Sequence, residues 1–130
     1  RIKGNTGWNQ DETQAALLGL AEEARRGLDD RLRRKHERSR FPAFWGPNYD
    51  WIPDQDHGGN AMMALQTMLL QAVGDRLYLF PAWPKDWNVS FKLHAPDNTA
   101  VTGIYRDGNV VELSVDPEIR RSRLIIMTPQ

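Results

Sequence analysis

Asn60-Ala-Met-Met-Ala-Leu-Gln-Thr-Met-Leu-Leu-Gln-Ala-Val-Gly-Asp-Arg-Leu-Tyr-Leu-Phe80 contains the change of period that decides the fold class. From Asn60 to about Ala72 the apolar residues Ala61, Met62, Met63, Leu65, Met68, Leu69, Leu70 and Ala72 surround a helix on most sides. Gln66, Thr67 and Gln71 are the polar interruption. A helix apolar nearly all round is buried by others, and one amphipathic partner within this chain cannot cover it. After Gly74-Asp75 the period becomes alternating, and Leu77 to Phe80 reads as a strand ended by Pro81 and Pro84.

Downstream the alternation continues. Val89, Phe91 and Leu93 share one face of a strand reaching His94. Val101–Arg106 and Val110–Val115 flank Asp107-Gly108, a strong hairpin signal, and Arg123–Met127 makes a last strand. Upstream, Asn9 followed three residues later by Glu12 reads as a capping box. Leu17, Leu20, Ala21, Ala24, Leu28 and Leu32 then form the stripe of one amphipathic helix. Gly27 weakens that helix by about 1 kcal/mol relative to Ala. The helix should fade between Arg34 and Ser39, because Pro42 disfavours helical geometry at Phe41. The expected architecture is α+β: two α-helices followed by a small antiparallel β-sandwich or sheet. Residues 1–74 form a helical hairpin with a long loop, and residues 75–130 a C-terminal β domain.

Bulk composition narrows the function classes. With 17 basic and 17 acidic residues in 130, no net field draws in DNA or an anionic membrane. The basic run from Arg31 to Arg40 reads as the solvated end of a helix, where cations suit the negative end of the dipole. No nucleic-acid or membrane partner is expected. The absence of cysteine excludes a disulfide framework, a thiolate zinc site and a cysteine nucleophile. The chain opens on Arg1 and enters helical text quickly, which reads as a piece of a longer polypeptide. As a piece standing alone, its Met-rich helix would drive self-association.

The residues that carry chemistry lie in the stretch Phe41-Pro-Ala-Phe-Trp-Gly-Pro-Asn-Tyr-Asp-Trp-Ile-Pro-Asp-Gln-Asp-His-Gly-Gly-Asn60. Rings beside carboxylates suit a cleft that stacks apolar sugar faces and addresses hydroxyls. Trp45, Tyr49 and Trp51 read either as stacking residues, with His57 and Asn60 beside them, or as core aromatics that pin the long loop onto the sheet. Phe44 reads as core, and Trp83 and Trp87 as packing residues where helices meet the sheet. Asp54 and Asp56 stand just before the second helix, where free N–H groups and the dipole stabilise carboxylates. Either would serve as a general base or position water in glycoside hydrolysis, which needs a second carboxyl group across the bond. A calcium loop of the EF-hand type fails, because Gly58 and Leu65 occupy positions that need oxygen ligands. His36, His57 and His94 are scattered singly, against a zinc site, and no phosphate-binding loop or serine-nucleophile elbow occurs.

The run Asp54-Gln-Asp56-His-Gly-Gly-Asn60-Ala-Met-Met-Ala-Leu-Gln-Thr-Met-Leu-Leu-Gln71, followed by Leu77-Tyr-Leu-Phe-Pro-Ala-Trp-Pro84, resembles the end of a six-hairpin (α/α)6 glycoside hydrolase. The nearest type is the alpha-L-fucosidase-like family 95 group and related gut-type polysaccharide-degrading enzymes. The resemblance implies the last helical hairpin of a toroid followed by a C-terminal β-sandwich. It implies a base-bearing loop with the catalytic Asp at Asp56 or Asp54, the general acid lying elsewhere, and no cofactor or metal. The implied partners are a carbohydrate substrate and the remainder of a parent catalytic domain, in a secreted or periplasmic parent. The alternative is a non-catalytic carbohydrate-binding or structural β-sandwich module.

Overall fold

The computed structural model of the protein describes residues 9–33, 56–127 and 129. The class is α+β. Three described helices, α1 (Asp11–Leu17), α2 (Ala21–Arg33) and α3 (Asp56–Leu69), pack pairwise on one another. Six strands follow: β1 (Leu70–Val73), β2 (Arg76–Leu79), β3 (Val89–Ala95), β4 (Thr99–Arg106), β5 (Asn109–Asp116) and β6 (Leu124–Ile126). A 3-10 helix, Glu118–Arg123, lies before the last of them.

The single helix expected from Asn9 onward is two. Gly19 takes a left-handed φ of +73°, and its N–H donates to the Ala16 carbonyl at 3.0 Å while Leu20 N–H donates to Ala15 at 2.9 Å. That pair of bonds is the Schellman termination, in which glycine escapes the Cβ penalty of the left-handed region. The chain then folds back, so the end of α2 lies beside the start of α1. Gly27, whose weakening effect the sequence advertised, stays inside α2 and is buried. The expected capping box is also absent: Gln10 is the N-cap and no side chain caps α1. Glu12 is engaged elsewhere.

Small side chains line the helix contacts. Ala15 and Ala16 of α1, Ala21 and Ala24 of α2, and Ala61 and Ala64 of α3 are all buried, which lets helix axes approach closely. Met68 and Leu69 carry this core onward to Leu77, Leu79, Phe80 and Trp83, and then to Phe91, Val101, Tyr105 and Val115. The helical core is therefore continuous with that of the sheets. Uncovered apolar surface remains on α3, where Met62 and Met63 are 63% and 54% exposed.

The second helix starts at Asp56 and stops at Leu69, four residues earlier at its start than the period indicates. The text after it, Leu70–Val73, is strand β1. It pairs antiparallel with β2 across Gly74-Asp75, from Leu70↔Leu79 to Val73↔Arg76. Gly74 supplies the positive φ that a two-residue turn needs. The boundary expected after residue 74 falls inside this turn, so β1 lies on the helical side and pairs with the sheet side. β6 joins β2 in parallel, Leu77↔Leu124 to Leu79↔Ile126, giving a mixed sheet of order β1-β2-β6. The remaining strands form the antiparallel sheet β3-β4-β5, with Asp107 and Gly108 both at positive φ in the hairpin turn. Along β4, Thr99, Val101, Gly103 and Tyr105 point inward in strict alternation. Phe91 lies over Gly103, its register partner.

Phe80 joins the layers. Its backbone N–H donates to the Leu69 carbonyl at 2.7 Å, and its ring meets Phe91 edge-on at 6.1 Å and Tyr105 at 5.0 Å. Trp83 and Trp87 do the packing work expected of them. Trp83 is buried, donates Nε1–H to the Trp87 carbonyl at 2.8 Å and meets the Trp87 ring edge-on. Arg25 of α2 lies 5.5 Å from the centre of the Trp87 ring and pairs with Asp86 at 2.9 Å.

Candidate functional site

Asp56 is the first residue of α3 and is exposed, with its charge at the favourable positive end of the dipole. The next two positions but one, Gly58 and Gly59, cost a helix about 1 kcal/mol each relative to Ala. Both are exposed, and a Cβ added to either would meet nothing within 4 Å. The propensity of Gly58 and Gly59 does not favour a helix here. Tertiary contact in the first turn is made by His57.

His57 is buried, 3% exposed, and both ring nitrogens face Arg31. Nε2 lies 2.8 Å from the Arg31 carbonyl oxygen. A carbonyl only accepts, so Nε2 carries a proton. Nδ1 faces Arg31 Nη1 at 3.4 Å, a long contact. The ring is inserted between the side chain and the backbone carbonyl of Arg31.

Arg31 and Glu12 are fully buried. The guanidinium donates from Nε to one Glu12 oxygen at 3.3 Å and from Nη2 to the other at 3.2 Å, and Nη2 also donates to the Asn9 carbonyl. A two-point Arg–carboxylate pair satisfies both planar groups at once. Glu12 belongs to α1, Arg31 to the end of α2 and His57 to the start of α3, so one polar cluster ties three helices together beneath Asp56.

The sequence reading did not find this cluster. The basic run reads as a solvated helix end. Arg33 fits that, exposed and 3.7 Å from Asp29, but Arg31 is buried. A signal existed in the helical period. Arg31 continues the buried stripe Ala21, Ala24, Leu28, and Glu12 precedes Ala15 and Ala16 on the buried face of α1. A lone charge on an apolar stripe needs a partner of opposite sign.

Of the predicted site residues, the structure places Asp56, His57 and Asn60 in the first turns of α3: Asp56 exposed, His57 beneath the turn, Asn60 half-buried. Asp54, Trp45, Tyr49 and Trp51 lie outside the described residues, as do Phe44 and the basic run beyond Arg33. Away from Asp56, an open groove of about 760 Å³ on α1 and α2 is lined by Asp11, Gln14, Leu18, Leu20, Glu23 and Arg26, and by none of the predicted site residues. Among the described residues no group of three or more His, Asp or Glu side chains could hold a metal ion. No described helix is long and apolar enough to cross a membrane.

Compared with known family models and with curated proteins, the sequence gives no match.

Proposed function

We propose that this chain is the C-terminal portion of a six-hairpin glycoside hydrolase and carries the base-bearing turn of its active site. The observation that supports this best is Asp56. Its carboxylate is exposed at a helix start beside a buried ion pair and the buried His57 imidazole. A general base must be reachable by water and substrate yet fixed in position, and such an anchored, solvent-facing carboxylate meets both needs. Asp54 is the alternative base. Trp45, Tyr49, Trp51 and Asn60 would meet the sugar, and His57 would act from below the turn. A second observation points the same way. The exposed Met62, Met63 and Leu65 of α3 offer apolar surface for a further helical layer, as a toroid would provide.

In this reading the chain alone lacks the general acid, so it should not turn over aryl glycosides. In the complete enzyme, Asp56→Asn should lower kcat by about 10²–10⁴-fold, the range for loss of a positioned acid–base group. Full activity in that variant removes Asp56 from the chemistry, and the same test on Asp54→Asn then decides whether the reading survives.

A further inference from the structure

We infer that the groove between residues 84–88 and the β4–β5 hairpin turn is a second carbohydrate contact, reading ring hydroxyls with Lys85, Asp86, Asn88 and Asp107, a choice of ligand that rests on the carbohydrate reading above. The groove is open, has a volume of about 410 Å³ and is lined by these four residues and Gly108. That is the size range of small-molecule sites. Asp56 and the helical polar cluster take no part in it.

The backbone on both sides is fixed. Tyr105, buried in the core, donates its hydroxyl to the Lys85 carbonyl at 3.0 Å. Trp87 N–H donates to the Pro84 carbonyl at 3.1 Å, and Trp83 Nε1–H to the Trp87 carbonyl at 2.8 Å. Across the groove, Asp107 N–H donates to Asn88 Oδ1 at 2.9 Å. Asn109 Nδ2–H donates to the Asp107 carbonyl at 3.0 Å, which holds the turn where Asp107 and Gly108 take positive φ. A ligand therefore meets preset walls and spends little on ordering them.

The lining presents donors and acceptors in near balance. Asp86 spends Oδ1 on Arg25 at 2.9 Å, and Asn88 spends Oδ1 on the turn. Among the described residues none hydrogen-bonds the Lys85 ammonium, the Asp107 carboxylate, Asp86 Oδ2 or Asn88 Nδ2. Lys85 balances Asp107 in charge, as Arg25 balances Asp86. Two carboxylates disfavour an anion, and the ammonium disfavours a divalent cation. A hydroxyl both donates and accepts, so adjacent ring hydroxyls match ammonium and amide donors set beside carboxylate acceptors. Stacking adds nothing here. The Trp87 ring already faces Arg25 and Trp83, each at 5.5 Å. Binding through hydroxyls alone should be weak, with a dissociation constant of about 1–10 mM for one sugar ring.

The test is amide NMR of the whole chain titrated with the methyl glycosides of glucose, galactose, mannose, xylose and fucose, up to about 100 mM, tenfold above that range. Expected are saturable shifts at residues 85–88 and 107–109 with at least one glycoside. Lys85→Met keeps the aliphatic stem, and Asp107→Asn suits the positive φ of the turn. Each should weaken binding about tenfold, the low end for a lost hydrogen bond to a charged group. Lys92→Met, exposed on β3 and outside the groove, should leave the affinity unchanged. No saturable shift at these residues with any glycoside overturns the site. Equal weakening by Lys92→Met, or shifts as large with sodium sulfate or calcium chloride, would reduce it to a charge effect and overturn it as well. None of these readouts depends on glycoside turnover, so an active Asp56→Asn enzyme sinks the role of Asp56 alone, and a silent titration sinks the groove alone.

Discussion

Replacing Arg31 by Met should remove about 3–5 kcal/mol of stability, the usual cost of breaking a buried ion pair from one side. Methionine retains most of the aliphatic stem volume, so little of that cost is a cavity. The loss comes from what the guanidinium leaves behind. The Glu12 carboxylate, fully buried, would lose donors at 3.2 and 3.3 Å, and the Asn9 carbonyl and His57 Nδ1 would each lose one more. With a urea slope of about 2 kcal/mol/M, the unfolding midpoint should fall by about 1.5–2.5 M. Adding Glu12→Leu removes the orphaned charge, and replacing both members of a buried pair by apolar groups is often neutral or better. The double variant should therefore recover to within about 1–2 kcal/mol of the natural chain, the remainder reflecting the groups on Asn9 and His57 left without this donor. Urea unfolding followed by far-UV circular dichroism measures all three proteins. A shift below about 0.5 M for Arg31→Met, or a double variant no more stable than the single, refutes the argument that this pair is desolvated and coupled.

Gly19→Ala should cost about 1–2 kcal/mol in the same assay, because the left-handed φ of +73° penalises a Cβ; the nearest atom, at 3.6 Å, leaves room, so backbone strain is the cause. An undiminished midpoint would mean that the α1–α2 bend adopts another turn. Gly103→Ala should cost about 1–3 kcal/mol by overpacking. A Cβ there would come within 2.7 Å of Phe91 Cζ and 3.2 Å of the Glu112 carbonyl oxygen. Phe91→Leu in the same chain should return part of the loss, and no coupling between the two would refute the contact. Burial, with the charge of Asp86 adding, raises the Tyr105 phenol above its ordinary value of 10.0. Between those two values the folded chain keeps a proton that the unfolded chain gives up. The stabilising difference is present in full below the ordinary value and is lost as pH rises through the raised one. Tyr105→Phe should flatten this alkaline decline in denaturation curves above about pH 10, and an unaltered slope would exclude Tyr105 as its source.

Much of the β half was legible because it depends on local chemistry. Alternation along β3 and β4, and two adjacent residues able to take positive φ at Asp107-Gly108, need no distant partner to be read. The α+β class followed from the change of period near Gly74. The candidate site was legible only as residue types near Asp56, since a carboxylate before an apolar helix can be seen without knowing what holds it. Two points escaped the text. Leu70–Val73 looks helical by composition, and becomes a strand because Leu77 and Leu79 offer it a ladder. Gly58-Gly59 argues for a helix beginning after it, and is overridden by the burial of His57.

Local periodicity and turn chemistry determined most of the helices and strands, Leu70–Val73 and the start of α3 excepted, because those preferences act over a few residues. Only the tertiary structure decided that Glu12, Arg31 and His57 meet. Their separations of 19 and 26 residues are bridged by the Gly19 bend and by the packing of α3 on α1 and α2. Buried charges select partners by distance in space, and that distance is set by how small side chains let three helices close on one another.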